Sequence, residues 1–347
     1  MLVSEVATQI RYDGASWMDE TNLTEETTVP KCSKLSSVAS LIIACVLFAQ
    51  SASPQSDAIS MDPVGTEAYS VLTRFFDYDR VIPLDVRVVE RTETPDYIRE
   101  KIVFRGVRDS SVPGYLAVPT KGSSPYPVVL VLHGIGSSKA SGWDDGGTKT
   151  SLLAAGYAVL ALDAQYHGER LVQNGFESPT KMVFERGWMH RYRAAFIQTI
   201  VEYRRALDYL DTLEHLDTNR VGALGYSMGG HMTFVLTGVD PRIDVTVACV
   251  TPPMNEPPSN APGLEAGADG APFPFVVAPY EFAHAVDSRP FLMLMGRTDP
   301  VYTVGEAERL YELIDSSSKK LIWYDSGHRL PPAFVGDAVD WFQTHLK

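Results

Sequence analysis

The stretch Gly225-Tyr226-Ser227-Met228-Gly229-Gly230 decides the fold class of this chain. It follows the apolar run Val221-Gly222-Ala223-Leu224, and the residues after it, 231–236, have a helix-like pattern. We therefore expect a sharp turn from a strand into a helix, with glycines because neighbouring backbone passes close by. The stretch predicts a nucleophile elbow, in which the hydroxyl of Ser227 stands clear of the sheet.

Strand-like and helix-like segments alternate along the rest of the chain. The predicted strands are residues 86–90, 100–107, 114–118, 128–132, 157–162, 221–224, 245–250, 291–295 and 320–324. The predicted helices are residues 67–76, 148–155, 191–213, 231–236, 304–314 and 331–342. Two early strands meet around Val112-Pro113-Gly114, and from residue 127 onward strands alternate with helices. This order predicts an α/β fold with a mostly parallel central sheet, an antiparallel N-terminal hairpin and helices on both faces.

Two long segments, residues 164–188 and 251–288, interrupt this alternation. Each leaves the carboxyl end of a predicted strand, and that edge of an open α/β sheet is where ligands bind. The second segment carries the aromatic residues Phe273, Phe275, Tyr280 and Phe282, and solvated linkers rarely contain so many. We expect the two insertions to form a small cap or lid over a pocket.

Composition narrows the class of partner. The chain has 347 residues, 45% hydrophobic and 21% charged, which is ordinary for a globular protein with a sizeable core. Its formal net charge of -13 disfavours nucleic acid and anionic membranes as partners. Of the cysteines Cys32, Cys45 and Cys249, the last lies in an apolar run and is expected to be a buried small side chain. No Cys/His spacing indicates zinc, so we predict neither a metal nor a cofactor.

The first 53 residues have the pattern of a leader with a signal peptide. Lys31 and Lys34 precede an apolar run at residues 38–49, which small residues follow. The run is shorter than the roughly 20 residues that span a bilayer, so we predict a secreted or periplasmic protein with no membrane span in the mature chain. Lipid anchoring at Cys45 and a buried helix are the alternatives. Residues 54–97 are then an N-terminal extension, and residues 98–347 the catalytic domain.

Asp299 and His328, which both follow the elbow in the sequence, are expected to complete a catalytic arrangement with Ser227. A serine hydroxyl needs a base within hydrogen-bond reach, and that base needs a carboxylate to orient it. Asp299 follows the strand at 291–295, and His328 follows the last strand. Because parallel strands bring their carboxyl ends to one edge, and because the order serine, acid, histidine goes with this elbow, we predict a triad of Ser227, Asp299 and His328.

Other acids and histidines fit this arrangement less well. Asp325 lies on the same turn as His328 and is expected to tether that loop, and Asp287 precedes its strand and so lies at the opposite edge. His231 lies one turn into the helix after the elbow, where packing is expected rather than catalysis. The role of His284, inside the second insertion, stays open.

When a serine attacks an ester, the carbonyl oxygen becomes negatively charged. This oxyanion needs two N–H donors to stabilise it. One is expected from the backbone of Met228, directly after the nucleophile. The loop His133-Gly134-Ile135-Gly136 follows the strand at 128–132, and we assign the second donor to Ile135 and a loop-bracing role to His133. Residues 142–150 contain glycines and Thr148-Lys149, but not in the order of a phosphate-binding loop.

Several motifs resemble those of the α/β-hydrolase superfamily, and within it the branch of small serine esterases similar to dienelactone hydrolases and prolyl oligopeptidases. They are Val112-Pro113-Gly114-Tyr115-Leu116, Leu132-His133-Gly134-Ile135-Gly136, Asp163-Ala164-Gln165-Tyr166-His167-Gly168-Glu169-Arg170, the elbow, Gly296-Arg297-Thr298-Asp299 and Gly327-His328. The resemblance covers residues 98–346 and implies an α/β-hydrolase fold. It also implies that the loop at 163–170 shapes the substrate pocket, so Tyr166, His167 and Tyr226 are expected to contact substrate. Dienelactone hydrolases proper carry a cysteine where this chain has Ser227, and the short segment before the hairpin cannot build the propeller of prolyl oligopeptidases.

The resulting prediction is a serine carboxylic-ester hydrolase that acts on a small-molecule ester through an acyl-enzyme. A peptidase or amidase with the same triad is the nearest alternative. A binding protein that keeps the fold without catalysis is a more distant one. The sequence does not indicate which oligomeric state the protein adopts.

Overall fold

The structure is a computed structural model that describes residues 61–143, 147–186, 188–254 and 277–347. The predicted leader, its apolar run and Cys45 lie outside the described residues. So do the first residues of the N-terminal extension and, in the second insertion, Phe273 and Phe275.

Nine strands of the described chain form one sheet. They are β1 Arg87–Glu93, β2 Tyr97–Arg105, β3 Ser111–Pro119, β4 Tyr126–Leu132, β5 Ala158–Leu162, β6 Leu216–Tyr226, β7 Val245–Cys249, β8 Phe291–Gly296 and β9 Lys319–Tyr324. Their order across the sheet is β1-β2-β3-β5-β4-β6-β7-β8-β9. Strands β1, β2 and β3 pair antiparallel, β3 also runs antiparallel to β5, and β4 to β9 pair in parallel. The predicted sheet is confirmed, and β1 adds a third antiparallel strand to the predicted hairpin.

The side chains of β4 show how the sheet is covered. Val128, Leu130 and Leu132 belong to one hydrophobic cluster, whereas Val129 and Val131 belong to another. Successive side chains of a strand point to opposite faces, so the two clusters lie on the two faces of the sheet. Each buried aliphatic side chain contributes about 1.5–3 kcal/mol, so both faces add to stability.

Helices cover both clusters, as predicted. They are α1 Thr66–Thr73, α2 Thr148–Ala154, α3 Pro179–Phe184, α4 Met189–Leu210, α5 Met228–Val239, α6 Pro279–Phe282, α7 Val304–Glu312 and α8 Ala333–His345. In α4, Phe196, Ile200, Tyr203 and Leu207 form the buried face and pack on the first cluster. Leu152 of α2 and Phe342 of α8 pack on the second cluster, across the sheet.

The first insertion brings short helices to the edge where the parallel strands end, whereas the described part of the second packs beside α5, where a Cβ on Gly238 would lie 3.1 Å from Phe282 Cβ. The first contains a 3-10 segment, Gly168–Asn174, followed by α3. A Cβ added to Gly136 would lie 2.8 Å from Thr180 Oγ1, so α3 lies against the loop after β4. The described part of the second insertion contains α6 and a 3-10 segment, Ala283–Val286. Within the described ranges, every helix is too short or too polar to span a bilayer.

Candidate active site

Ser227 lies at the turn between β6 and α5, with φ 56° and ψ −113°. A positive φ is strained for a residue other than glycine, so neighbouring contacts must hold it. The N–H of Ser227 donates to Cys249 O on β7 (2.9 Å), and the N–H of His231 donates to Ser227 O (3.0 Å). The turn is thus fastened to the next strand and to the first turn of α5.

The glycines beside Ser227 are required by close backbone contacts. A Cβ on Gly225 would lie 2.0 Å from Gly229 O, and a Cβ on Gly229 would lie 2.0 Å from Leu132 O. Carbon and oxygen atoms cannot approach that closely without a shift of the backbone. No side chain fits at either position while α5 begins this close to β4 and β6.

The three residues predicted as a triad lie in one chain of hydrogen bonds. The Oγ–H of Ser227 points to His328 Nε2 at 2.8 Å, and His328 Nδ1–H donates to Asp299 Oδ2 at 2.7 Å. Asp299 is buried, and its second oxygen, Oδ1, accepts the N–H of Val301 at 2.9 Å. The carboxylate is therefore fixed in the direction that orients the imidazole ring.

Asp325 and His231, the acid and the histidine that fit the triad less well, lie outside this chain of hydrogen bonds. Asp325 is exposed, and its ion pair with Arg297 has a separation of 3.8 Å. His231 is buried, its Nε2–H donates to Val277 O (2.6 Å), and burial lowers the pKa of its imidazole to about 3. His231 therefore packs as a neutral ring beneath the elbow, as expected.

Tyr226, predicted to contact substrate, has a hydroxyl that faces the loop carrying His328. The O–H donates to His328 O (2.8 Å) and accepts the N–H of Leu330 (2.8 Å). Burial raises the pKa of Tyr226, so the hydroxyl stays protonated and able to donate. The residue also borders the cavity beside Ser227.

The loop after β4 packs directly on the elbow. A Cβ on Gly134 would lie 3.3 Å from Tyr226 O and 3.6 Å from Ser227 Cβ. His133 Nδ1–H donates to Gly134 O (2.8 Å), and its Nε2 accepts the N–H of Ala164 (3.1 Å). Burial lowers the pKa of His133 to about 4, so the ring stays neutral and braces the loop as expected.

A buried ion pair joins this loop to the loop after β5. Asp163 accepts both the backbone N–H and the Nζ of Lys139, each at 2.8 Å, and the N–H of Glu169 at 2.9 Å. Gly168 has φ +52°, and a Cβ there would lie 2.2 Å from Asp163 Oδ1. The compact turn at 163–169 thus depends on Gly168 and on the carboxylate of Asp163.

Tyr166 and His167, also predicted to contact substrate, lie on this second loop. Tyr166 is half-buried with φ 66°, and the guanidinium of Arg191 lies 5.0 Å from its ring centre. His167 is 3% exposed, and its ring centre lies 5.1 Å from that of His133. Neither residue lines the cavity beside Ser227, so their contact with substrate stays a prediction.

A cavity of about 430 Å³ opens beside Ser227 and His328. Its wall includes Ile135, Leu224 and Lys149. Lys149 is 2% exposed and donates to Ser141 O. Lys149 was not predicted as a site residue, although it lies three and four residues before the buried Leu152 and Leu153, on one face of α2. A second cavity, of about 530 Å³, lies between β1 and β2 at residues 85–87 and 103–105, away from these residues.

Within the described ranges, no group of three or more His, Cys, Asp or Glu side chains is arranged to hold a metal ion. Cys249 is a buried free thiol in β7, as expected from its apolar run.

Comparisons with known proteins place the chain among hydrolases. The profile of the Dienelactone hydrolase family matches residues 112–328. The chain is 27% identical over 175 residues to the hydrolase-named protein YtaP of Bacillus subtilis. That match covers 48% of this chain and 56% of YtaP. It is also 30% identical over 152 residues to acetyl esterase Axe7A of Xylanibacter ruminicola. That match covers 41% of this chain and 33% of Axe7A. The matches thus span about half and a third of these two relatives.

Among solved structures, acetyl xylan esterase 1 from a Thermoanaerobacterium species superposes with a TM-score of 0.64 at 17% identity. The superposition covers 81% of this chain and 94% of that one. At this level of identity the likeness shows the shared fold.

Proposed function

The chain belongs to the dienelactone hydrolase family of the α/β-hydrolase superfamily, and on that premise we propose that it is a serine hydrolase that cleaves carboxylic esters. The observation that carries the proposal is the chain of hydrogen bonds from Asp299 through His328 to Ser227. It supplies a nucleophile, a base and an orienting carboxylate at one edge of the sheet.

The proposed reaction begins with attack of Ser227 Oγ on the ester carbonyl. His328 Nε2 accepts the Oγ proton as the new C–O bond forms, and Asp299 stabilises the resulting imidazolium. The N–H groups of Met228 and Ile135 stabilise the negative charge that develops on the carbonyl oxygen. His328 then protonates the departing alcohol, which leaves an acyl group on Ser227.

Water completes the proposed cycle. His328 removes a proton from the water as it attacks the acyl-enzyme carbonyl, and Ser227 leaves with that proton. The products are a carboxylic acid and an alcohol, and the three side chains return to their starting protonation. No cofactor takes part in these steps.

Short acyl groups are the first substrates to test. Axe7A is named an acetyl esterase, and the matching Thermoanaerobacterium structure is named an acetyl xylan esterase. These names support acetyl esters of small alcohols or sugars as substrates here. Tyr166 and His167 remain proposed contacts for the part of the substrate that extends toward the loop at 163–170.

A matched substrate panel tests the proposal. Nitrophenyl esters of increasing acyl length, an acetylated sugar and a nitroanilide of the same acyl group should be compared in the wild-type protein and in Ser227→Ala. We expect ester turnover well above amide turnover, and its loss in Ser227→Ala. Ester turnover that persists in Ser227→Ala would refute the mechanism, and faster cleavage of the anilide would favour a peptidase or amidase.

A further inference from the structure

The loop that carries His328 is at the boundary of the sheet. It follows β9, which is the last strand in the sheet order and has a neighbour on one side only. The side chain of His328 is 33% exposed. A base on such a loop needs contacts that hold it, because displacing a reacting group by about 1 Å can lower a rate about 100-fold.

Backbone contacts fix the start of this loop. Ser326 N–H donates to Tyr324 O (2.8 Å), and Thr298 N–H donates to Ser326 O (3.0 Å). A Cβ on Gly296 would lie 2.3 Å from Gly327 O, so the loops after β8 and β9 are in direct contact. These contacts end before His328.

The hydroxyl of Tyr226 holds the part of the loop that begins at the carbonyl of His328. It donates to His328 O and accepts the N–H of Leu330, each at 2.8 Å. One tyrosine hydroxyl can donate one hydrogen bond and accept others, so both contacts are made together. The ring is itself held by edge packing on Phe334 of α8, with ring centres 5.7 Å apart.

Tyr226 is also the residue directly before Ser227, at the end of β6. The same residue therefore connects the backbone of the nucleophile with the backbone of the base. A shift of the elbow moves the hydroxyl that holds the loop, so the separation of 2.8 Å between Ser227 Oγ and His328 Nε2 is kept by a short covalent and hydrogen-bonded path.

We propose that Tyr226 is a positioning residue whose hydroxyl fixes His328 against Ser227. The proposal rests on the proposed function of Ser227 and His328. It differs from the expectation that Tyr226 contacts substrate, because a positioning residue acts on the chemical step and a substrate contact acts on binding.

The variant Tyr226→Phe removes the hydroxyl and keeps the ring. Loss of these hydrogen bonds should lower kcat about tenfold or more, with KM within about twofold of the wild-type value. Tyr324→Phe is the matched control, because it loses a hydroxyl that donates to Asp337 at the same end of the sheet (2.5 Å) without touching the His328 backbone. Thermal melting of both variants checks that they are folded.

Hydrogen exchange gives a readout that does not depend on turnover. In Tyr226→Phe the amide of Leu330 loses its acceptor, so peptides covering residues 325–332 should exchange faster than in the wild-type protein and in Tyr324→Phe. Faster exchange there with a lowered kcat supports the proposal. If the Leu330 region exchanges faster in Tyr226→Phe but the wild-type protein turns over no ester, the hydrogen bond is supported and the esterase function is refuted.

Three results would overturn the proposal. One is unchanged exchange at Leu330. Another is a rise in KM at constant kcat, which would restore the substrate-contact role of Tyr226. The third is an equal loss of kcat in Tyr226→Phe and Tyr324→Phe, which would assign the effect to general loosening of this end of the sheet.

Discussion

Arg170 and Glu202 form a fully buried, two-pronged ion pair between the loop after β5 and helix α4. The distances are 2.5 Å from Nη1 to Oε2 and 2.9 Å from Nη2 to Oε1, with the two residues 1% and 0% exposed. Arg170 Nη1 also donates to Asp163 O (3.1 Å), and Ser110 Oγ donates to Glu202 Oε1 (2.6 Å). The pair thus anchors the loop at 163–170 to the body of the domain.

Breaking this pair from one side should destabilise the protein strongly. Glu202→Gln leaves a buried guanidinium without its counter-charge, and we expect a loss of about 3–5 kcal/mol in the free energy of unfolding. The double variant Arg170→Met with Glu202→Leu buries no charge and should lose less than the single variant. Urea unfolding at pH 7 measures both, and a double variant less stable than the single one would contradict this assignment.

The elbow should not tolerate a methyl group at Gly229. Because the added Cβ would lie 2.0 Å from Leu132 O, Gly229→Ala is expected to lower the free energy of unfolding by more than about 3 kcal/mol, or to prevent folding. Gly336→Ala is the control, since apart from its chain neighbours and the backbone of its own helix no heavy atom lies within 4 Å of the added Cβ, and the position is exposed in α8. That variant should be as stable as the wild type or up to about 1 kcal/mol more stable. Similar melting temperatures for the two variants would rule out this account of the elbow.

The stability effect of Lys149 should depend on pH. Burial lowers the pKa of its amine from 10.5 to about 7, so between these values the unfolded chain binds more protons and stability rises with pH. Lys149→Met removes the buried amine, so its gain over the wild type should be larger at pH 6 than at pH 9, by about 2–3 kcal/mol. Denaturant unfolding of both proteins at the two pH values measures the difference. A gain that is equal at both, or larger at pH 9, would mean that the amine is not desolvated in the folded protein.

The sequence predicted the sheet and the meeting of Ser227, Asp299 and His328 because those features depend on local patterns. Apolar runs and glycines mark the strands and the elbow, and parallel strands bring their ends to one edge whatever the details of packing. The strand at 86–90 was also predicted, but its pairing with β2 was not.

Other features of the site depend on side chains that meet only in the folded chain. The pairing of Lys139 with Asp163 joins two loops, and although Asp163 begins one of the motifs named above, nothing in either segment indicates its partner. Lys149 lies in the polar stretch Thr148-Lys149-Thr150-Ser151, where burial is not expected. The direction of the Tyr226 hydroxyl follows from the position of the loop after β9, which no local pattern specifies.

The central claim is that Ser227 becomes acylated during ester cleavage. Its most direct test is to mix the protein with a nitrophenyl ester, quench the reaction rapidly and map the adduct by peptide mass spectrometry. A fluorophosphonate, which phosphonylates a reactive serine irreversibly, gives a stable adduct for the same measurement. We predict one adduct per chain, on the peptide that contains Ser227, and no adduct there in Ser227→Ala. An adduct on another residue, or steady ester turnover in a protein that never carries one, would contradict the account.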